Sequence, residues 1–288
     1  MVDGNSDAAS RVIKKMFGKL IHWIDNRRRD RALRNFPISD SAWHTALTSL
    51  PFLAYLNASE LTRLRELTSL FIAQKSFSTA HELELTDEML ISIAMQACLP
   101  ILNLSLDLYS GWVGIIVYPG EFVIRRTIED ENGVVHVIEH DASGEAWEGG
   151  PVILSWQDAQ ITGETYNVVI HEFAHKIDML NGEIDGHPPF FRRWHAPLNA
   201  TAWANIFDSA YEKFRARANT ISPRQRADFE RDSLIDPYAA DHPAEFFAVC
   251  SETFFVQPQA FKTQYPDLYR LFAQYYRQDP ALIRPTPQ

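Results

Sequence analysis

The hydrophobic positions change period twice along the chain. Between residues 8 and 34, Ile13, Met16, Phe17, Leu20, Ile21 and Ile24 recur at helical spacing, and Arg27, Arg28, Arg29 and Arg31 follow. That pattern predicts one basic amphipathic helix over 1–34, ended by Pro37. The favoured reading is a helix docked on the body with a solvated basic face; the alternative is a membrane-surface or partner-binding helix. Ser59 to Thr62 opens a second helix with Leu61, Leu64, Leu67, Leu70 and Phe71 as its stripe. Residues 81–85, His-Glu-Leu-Glu-Leu, alternate as a short strand does. Thr86 caps a further helix that starts at Glu88 or Met89 and reaches Cys98, ahead of Pro100. Its Met89, Ile93, Met95 and Leu99 read as core.

From residue 112 the period falls to two. Trp112 to Tyr118 reads as a buried strand. Glu121–Ile128 and Val134–Glu139 read as two strands joined at Asn132-Gly133, a strong hairpin signal. His136 and His140 lie on that hairpin and read as surface or packing residues. Val152 to Trp156 reads as the last strand.

Helical period then returns in Val168-Val169-Ile170-His171-Glu172-Phe173-Ala174-His175-Lys176-Ile177-Asp178. At about 100° per residue, Val169, Ile170, Phe173, Ala174, Ile177 and Leu180 share one face. His171, His175 and Asp178 form a narrow stripe opposite, and Asn181-Gly182 ends the helix. Residues four apart stand one turn apart on one face, so His171 and His175 can aim two ring nitrogens at one ion. Glu172 points elsewhere around the helix, within reach of a water but not as a ligand. This is the zinc-protease arrangement of two ligands and a general base. Asp178 is placed to hold the His175 ring.

Later segments are helical around Trp194, Trp203, Tyr211 and Phe214, polar at 222–226, and strongly apolar from Pro243 through Phe255. Residues 281–288 read as a mobile tail.

Composition narrows the classes. With 288 residues, 46% of them hydrophobic, the chain can bury a sizeable core. The net charge of −10 is uneven, with nine Lys/Arg against four Asp/Glu in residues 1–34 and 18 against 33 beyond. An acidic body argues against direct nucleic-acid binding. Two cysteines, Cys98 and Cys250, are too few for a disulfide framework and read as buried thiols. No apolar run approaches the roughly 20 residues of a transmembrane helix, and no secretory signal is evident, so a cytoplasmic protein is expected.

A catalytic zinc needs a third ligand and an open position. The spacing His-Glu-x-x-His-x-x-Gly-x-x-His is excluded, because Asp178 and Asn181 stand where Gly and His would be. The third ligand is then expected from a later helix. Glu245 is the first choice, in the opening turn of the phenylalanine-rich helix; a capping-box role with His242 or Asp241 as cap competes with it. Glu252, seven residues on, is the rival ligand or a supporting partner.

The run His171–Gly182, with Tyr238-Ala239-Ala240, Pro243–Val249 and Pro151–Trp156, resembles the Mlc titration factor A family of zinc metallopeptidases. The resemblance covers about residues 30–280, with a longer stretch around 183–235. It implies an α+β, gluzincin-type or zincin-like metallopeptidase domain over 35–280, related to the anthrax lethal factor catalytic domain. A mixed or antiparallel sheet would lie next to the motif helix, with helices on both sides. It implies Glu245 as third ligand, Tyr238 as an active-site residue, and aminopeptidase activity. It also implies binding of the glucose repressor Mlc, which relieves repression of the glucose phosphotransferase system.

The resulting expectation is one Zn²⁺ per chain on His171, His175 and Glu245. Glu172 acts as general base and Tyr238 as oxyanion donor, and strand 152–156 aligns a peptide substrate. The rival from another class is a regulatory protein that sequesters a transcription repressor, with peptidase activity secondary.

Overall fold

A computed structural model describes residues 27, 29–129, 135–160, 166–196 and 198–282. Most of the amphipathic N-terminal segment therefore lies outside the described residues; residues 29–35 are helical and end before Pro37. Helix α1 (Asp40–Ser49) follows, capped by Ser39. Helix α2 (Ala58–Gln74) starts in a capping box of Asn57 and Glu60, which meets two orphan N–H groups reciprocally. Strand β1 (Ser76–Thr79) comes next. The predicted strand at 81–85 is instead a turn, with His81 and Glu82 at φ 52° and 59°. Alternating Glu and Leu with no sheet face to bury could not hold a strand there. Helix α3 (Asp87–Cys98) is capped by Thr86 as the sequence predicts, and it is buried along nearly its whole length.

The sheet region holds β2 (Gly114–Tyr118), the hairpin β3 (Phe122–Glu129) and β4 (Val135–Ala142), then β5 (Gly144–Ala146) and β6 (Val152–Ser155). The hairpin pairs in antiparallel register, Phe122 against Ala142 through Glu129 against Val135. Its turn, and the side chains of His136 and His140, lie outside the described residues. The main sheet has the order β1-β2-β6-β5. Strands β1, β2 and β6 run parallel, while β5 pairs antiparallel with β6 and forms the edge. Trp156 does not extend β6; it begins the short helix α4 (Trp156–Ala159), because Ser155 caps Asp158 N–H.

The motif helix α5 (Val168–Asp178) is buried at every position. Leu180, expected on its apolar face, is 39% exposed beyond its end. The helix runs into a 3₁₀ turn at Met179–Asn181, closed by Gly182 at φ 88°, where glycine is favoured. Helices α6 (Arg192–His195), α7 (Ala200–Thr220) and α8 (Pro223–Asp232) lead to a 3₁₀ turn at Pro237–Ala240. Then come α9 (Pro243–Val256), α10 (Pro258–Gln264) and α11 (Pro266–Tyr276).

Helix α9, strands β5 and β6 of the mixed sheet, and α3 all pack against α5. Phe173 of α5 meets Phe71, Tyr109 and Trp112 at ring separations of 5.1–5.6 Å. A second aromatic core joins Trp203, Phe247, Phe272 and Tyr275 beneath α9. The aromatic contacts of Phe173 and the packing of α9 fix the direction of the polar stripe of the motif helix. Ala281, the first residue of the expected tail, is buried and bonded to Tyr269 and Gln259; residues 283–288 lie outside the described residues. Cys98 and Cys250 are free and buried, as the sequence reading holds.

Candidate metal centre

Asn167 caps α5, its Oδ1 accepting Ile170 N–H at 2.8 Å. This starts the helix at Val168 and sets the angular position of every side chain after it. His171 and His175 then bring their Nε2 atoms within 3.1 Å of each other. From α9, Glu245 Oε2 stands 3.1 Å from His171 Nε2 and 3.3 Å from His175 Nε2. For a small divalent ion bonded at about 2.1 Å in tetrahedral geometry, donors stand about 3.4 Å apart. The three atoms form a triangle of that size, and they could hold one metal ion. His242 is the N-cap, its Nδ1 accepting Ala244 N–H at 3.2 Å, while the Glu245 carboxylate turns to the two histidines.

Glu252 faces the other nitrogen of His171. Its Oε1 lies 2.6 Å from His171 Nδ1, and its Oε2 accepts Asn167 N–H at 2.6 Å. A carboxylate on Nδ1 holds the proton there and leaves the Nε2 lone pair free for an ion. The donor set fits a metal for this reason. Asn167 Nδ2 also donates to Gln96 Oε1 at 2.7 Å, so α3, α5 and α9 meet in one buried polar network.

The metal-free electrostatics follow from these contacts. Burial opposes a proton on His171, but hydrogen bonds to Glu245 and Glu252 outweigh it and raise its pKa well above the ordinary value. Burial would raise Glu245, yet its bonds to the two histidines dominate and hold it far below the usual carboxylate range. Burial raises the pKa of Glu172, opposed by the charges of His171 and His175. A metal bound here would have to displace the proton on His171, which would make its affinity rise with pH.

Asp178 does not hold His175. Its Oδ2 accepts Gly186 N–H at 2.8 Å, while Asp178 Oδ1 and His175 Nδ1 are both buried without a partner. The loop after α5 has captured the carboxylate that the spacing offered to the histidine.

The site opens into a cleft of about 640 Å³ lined by Gly144, Glu145, Tyr166, Met179, Ile184, Tyr238 and His242 as well as the cluster. Tyr238 sits in the 3₁₀ turn before α9 and is 52% exposed. Burial of its hydroxyl and the charges of Glu245 and Glu172 raise its pKa, so it stays a donor.

Strand β6 is paired on both sides, by β2 and β5. It therefore has no edge to offer a substrate, contrary to the sequence expectation; the edge belongs to β5. Ser155 N–H bonds Ser143 O at 2.7 Å and Trp147 N–H bonds Pro151 O at 3.1 Å. Residues 143, 145 and 147 thus turn their polar groups toward β6. Alternation turns those of Gly144 and Ala146 outward, where among the described residues no strand pairs. Gly144 also lies against the motif helix. A Cβ there would come within 2.5 Å of Glu172 Oε1 and 2.6 Å of Val168 Cγ2.

Sequence reasoning missed Gly144, Tyr166, Asn167 and Gln96. Asn167, an N-cap residue directly before an apolar helical run, was open to detection. A three-residue strand and a lone Gln on a core helix gave no such signal.

The sequence profile of the glucose-regulated metallo-peptidase M90 family matches residues 24–277. The Mlc titration factor A of Pectobacterium atrosepticum is 37% identical over 242 residues, covering 83% of this chain and 86% of that protein. Its namesake from Salmonella arizonae is 37% identical over 246 residues, covering 84% of this chain and 93% of that protein.

Proposed function

The chain belongs to the glucose-regulated metallo-peptidase M90 family, and from that premise we propose that it is a zinc-dependent aminopeptidase of zincin-like, gluzincin type. His171, His175 and Glu245 would hold one Zn²⁺ per chain, and the observation that carries this is their metal-sized triangle of donor atoms. Bound zinc supplies Lewis acidity, acidifying a water and polarising a carbonyl.

The chain's own residues do the rest. The outward N–H and C=O groups of Gly144 and Ala146 align an extended peptide along the cleft as an added strand. Glu172, pressed against that edge, accepts the proton of the attacking water and delivers it to the departing amine. Tyr238 donates a hydrogen bond to the scissile carbonyl oxygen as that oxygen gains charge. Glu252 keeps His171 in the tautomer that presents Nε2.

A second reading coexists with the first. The curated relatives are named for titrating Mlc, and we infer a regulatory role for this chain through a complex with that repressor, in the cytoplasm. Among the described residues, no helix is long and apolar enough to cross a membrane.

Metal analysis and a screen of amino-acid arylamides test the enzyme reading. One zinc per chain, with turnover of free but not N-acetylated arylamides, is the expected result. Turnover that persists after zinc is stripped would overturn it. Binding of purified Mlc, measured by fluorescence anisotropy, tests the regulatory role.

A further inference from the structure

The loop after α5 is fixed from several directions. Asp178 Oδ2 accepts Gly186 N–H at 2.8 Å, and Trp203 Nε1 donates to Gly186 O at 3.0 Å. Gly186 has φ 78°, and a Cβ there would meet the Phe207 ring at 2.6 Å and Pro243 O at 2.7 Å. Only glycine fits. The loop nonetheless holds Ile184 in the wall of the cleft that Met179 also lines, with 39% of Ile184 exposed. An aliphatic side chain held half in water by a rigid loop gains stability when something apolar covers it.

The edge strand indicates what covers it. Gly144 lies against Glu172, and Lys176 Nζ donates to the carbonyls of Trp147 and Gly150. Strand β5 therefore runs along α5 in the same direction, toward Met179. A peptide paired antiparallel with β5, the more stable pairing, enters with its amino-terminal side at the Met179–Ile184 end.

We propose that Met179 and Ile184 form an apolar subsite for the side chain of the substrate residue on the amino side of the scissile bond. The subsite selects branched aliphatic and aromatic residues over alanine, and the thioether of Met179 adapts to either shape. This rests on the peptidase reading above, in which the peptide lies along β5.

The test is calorimetric titration of zinc-loaded Glu172→Gln protein with the tripeptides Ala-Ala-Ala, Leu-Ala-Ala and Phe-Ala-Ala, so that binding is read without turnover. Leu and Phe peptides are expected to bind at least about tenfold tighter than the Ala peptide. In a Glu172→Gln, Ile184→Ser background the preference should fall below about threefold, while Ile184→Leu should keep it. Equal affinities, no measurable binding, or a preference that survives both Ile184→Ser and Met179→Ala would overturn the subsite. The two readings fail separately. Selective binding with no turnover of any of the three by the wild type would sink the peptidase and leave the subsite. Turnover with equal affinities would do the reverse.

Discussion

Glu252 accepts the Nδ1 proton of His171 at 2.6 Å, and the two residues stand 81 positions apart in the chain. That one contact divides the labour between the two glutamates of α9. Glu245 faces the Nε2 atoms of the two imidazoles, and Glu252 faces Nδ1 of His171. The separation follows from how α9 packs on α5: its start lies over His171 and His175, and the turn carrying Glu252 reaches Asn167.

Glu245→Gln is expected to abolish stoichiometric zinc. Glu252→Gln should weaken zinc about 10–100-fold, the usual cost of losing a ligand's orienting partner. Glu252→Ala should also destabilise the fold, because it strands Asn167 N–H and His171 Nδ1–H in the interior, at about 1–3 kcal/mol each. Competitive zinc titration and denaturant unfolding check these outcomes. A larger zinc loss in Glu252→Gln than in Glu245→Gln would reverse the assignment.

Gly144→Ala should keep the metal and lose activity. The added methyl needs the space of Glu172 Oε1 and Val168 Cγ2, both under 3 Å away, so either the base or the edge strand must shift. A displacement of about 1 Å can cost about 100-fold in rate. Metal content near wild type with kcat/KM down by at least about tenfold is the expected pair of readings. Unchanged kinetics would mean that β5 is not held against the base in solution.

Much of the site was readable because helical spacing alone determines which side chains share a face. His171, Glu172 and His175 needed no tertiary information. Glu245 and Glu252 did: seven residues apart, they share a face of one helix, and only the crossing of α9 over α5 tells which carboxylate meets the two Nε2 atoms and which meets His171 Nδ1. The edge strand was hidden for a different reason. Three residues, Gly144–Ala146, carry too little pattern to register, whereas the continuous apolar run of β6 drew the substrate-aligning role to an internal strand. The spacing that placed Asp178 near His175 was sound, but the turn at Gly186 offered its carboxylate a backbone N–H instead.

Asp178 gives a pH signature to the metal-free protein. Burial raises its pKa from 3.8 to about 6, against the hydrogen bond from Gly186 and the charge of His175. The folded state therefore holds the proton more tightly than the unfolded chain does. This contribution to stability is complete below about pH 3.8 and is lost as pH rises through about 6. At about 1.4 kcal/mol per pH unit the loss is on the order of 3 kcal/mol. Asp178→Asn keeps an acceptor for Gly186 N–H and cannot ionise. Measured by denaturant unfolding in chelator, wild type should lose about that much stability relative to the variant between pH 4 and pH 7. A constant difference across that range would show that Asp178 ionises at its ordinary pKa.

Glu172 separates base from ligand. It follows His171 by one residue, so its side chain leaves the helix about 100° away. It points toward β5, where a Gly144 Cβ would touch its carboxylate, and not into the donor triangle of His171, His175 and Glu245. Glu172→Gln preserves shape and burial while removing the proton acceptor. Zinc should stay near one per chain, because no donor atom has changed. Arylamide hydrolysis should fall by about 10²–10⁴-fold, the range for losing a general base. Mlc binding should survive, since Glu172 is buried. Inductively coupled plasma metal analysis and steady-state kinetics on the same preparation read both quantities. Normal turnover would mean that the water is activated elsewhere, whereas joint loss of zinc and activity would make Glu172 a ligand or a structural residue and remove the mechanism proposed for it.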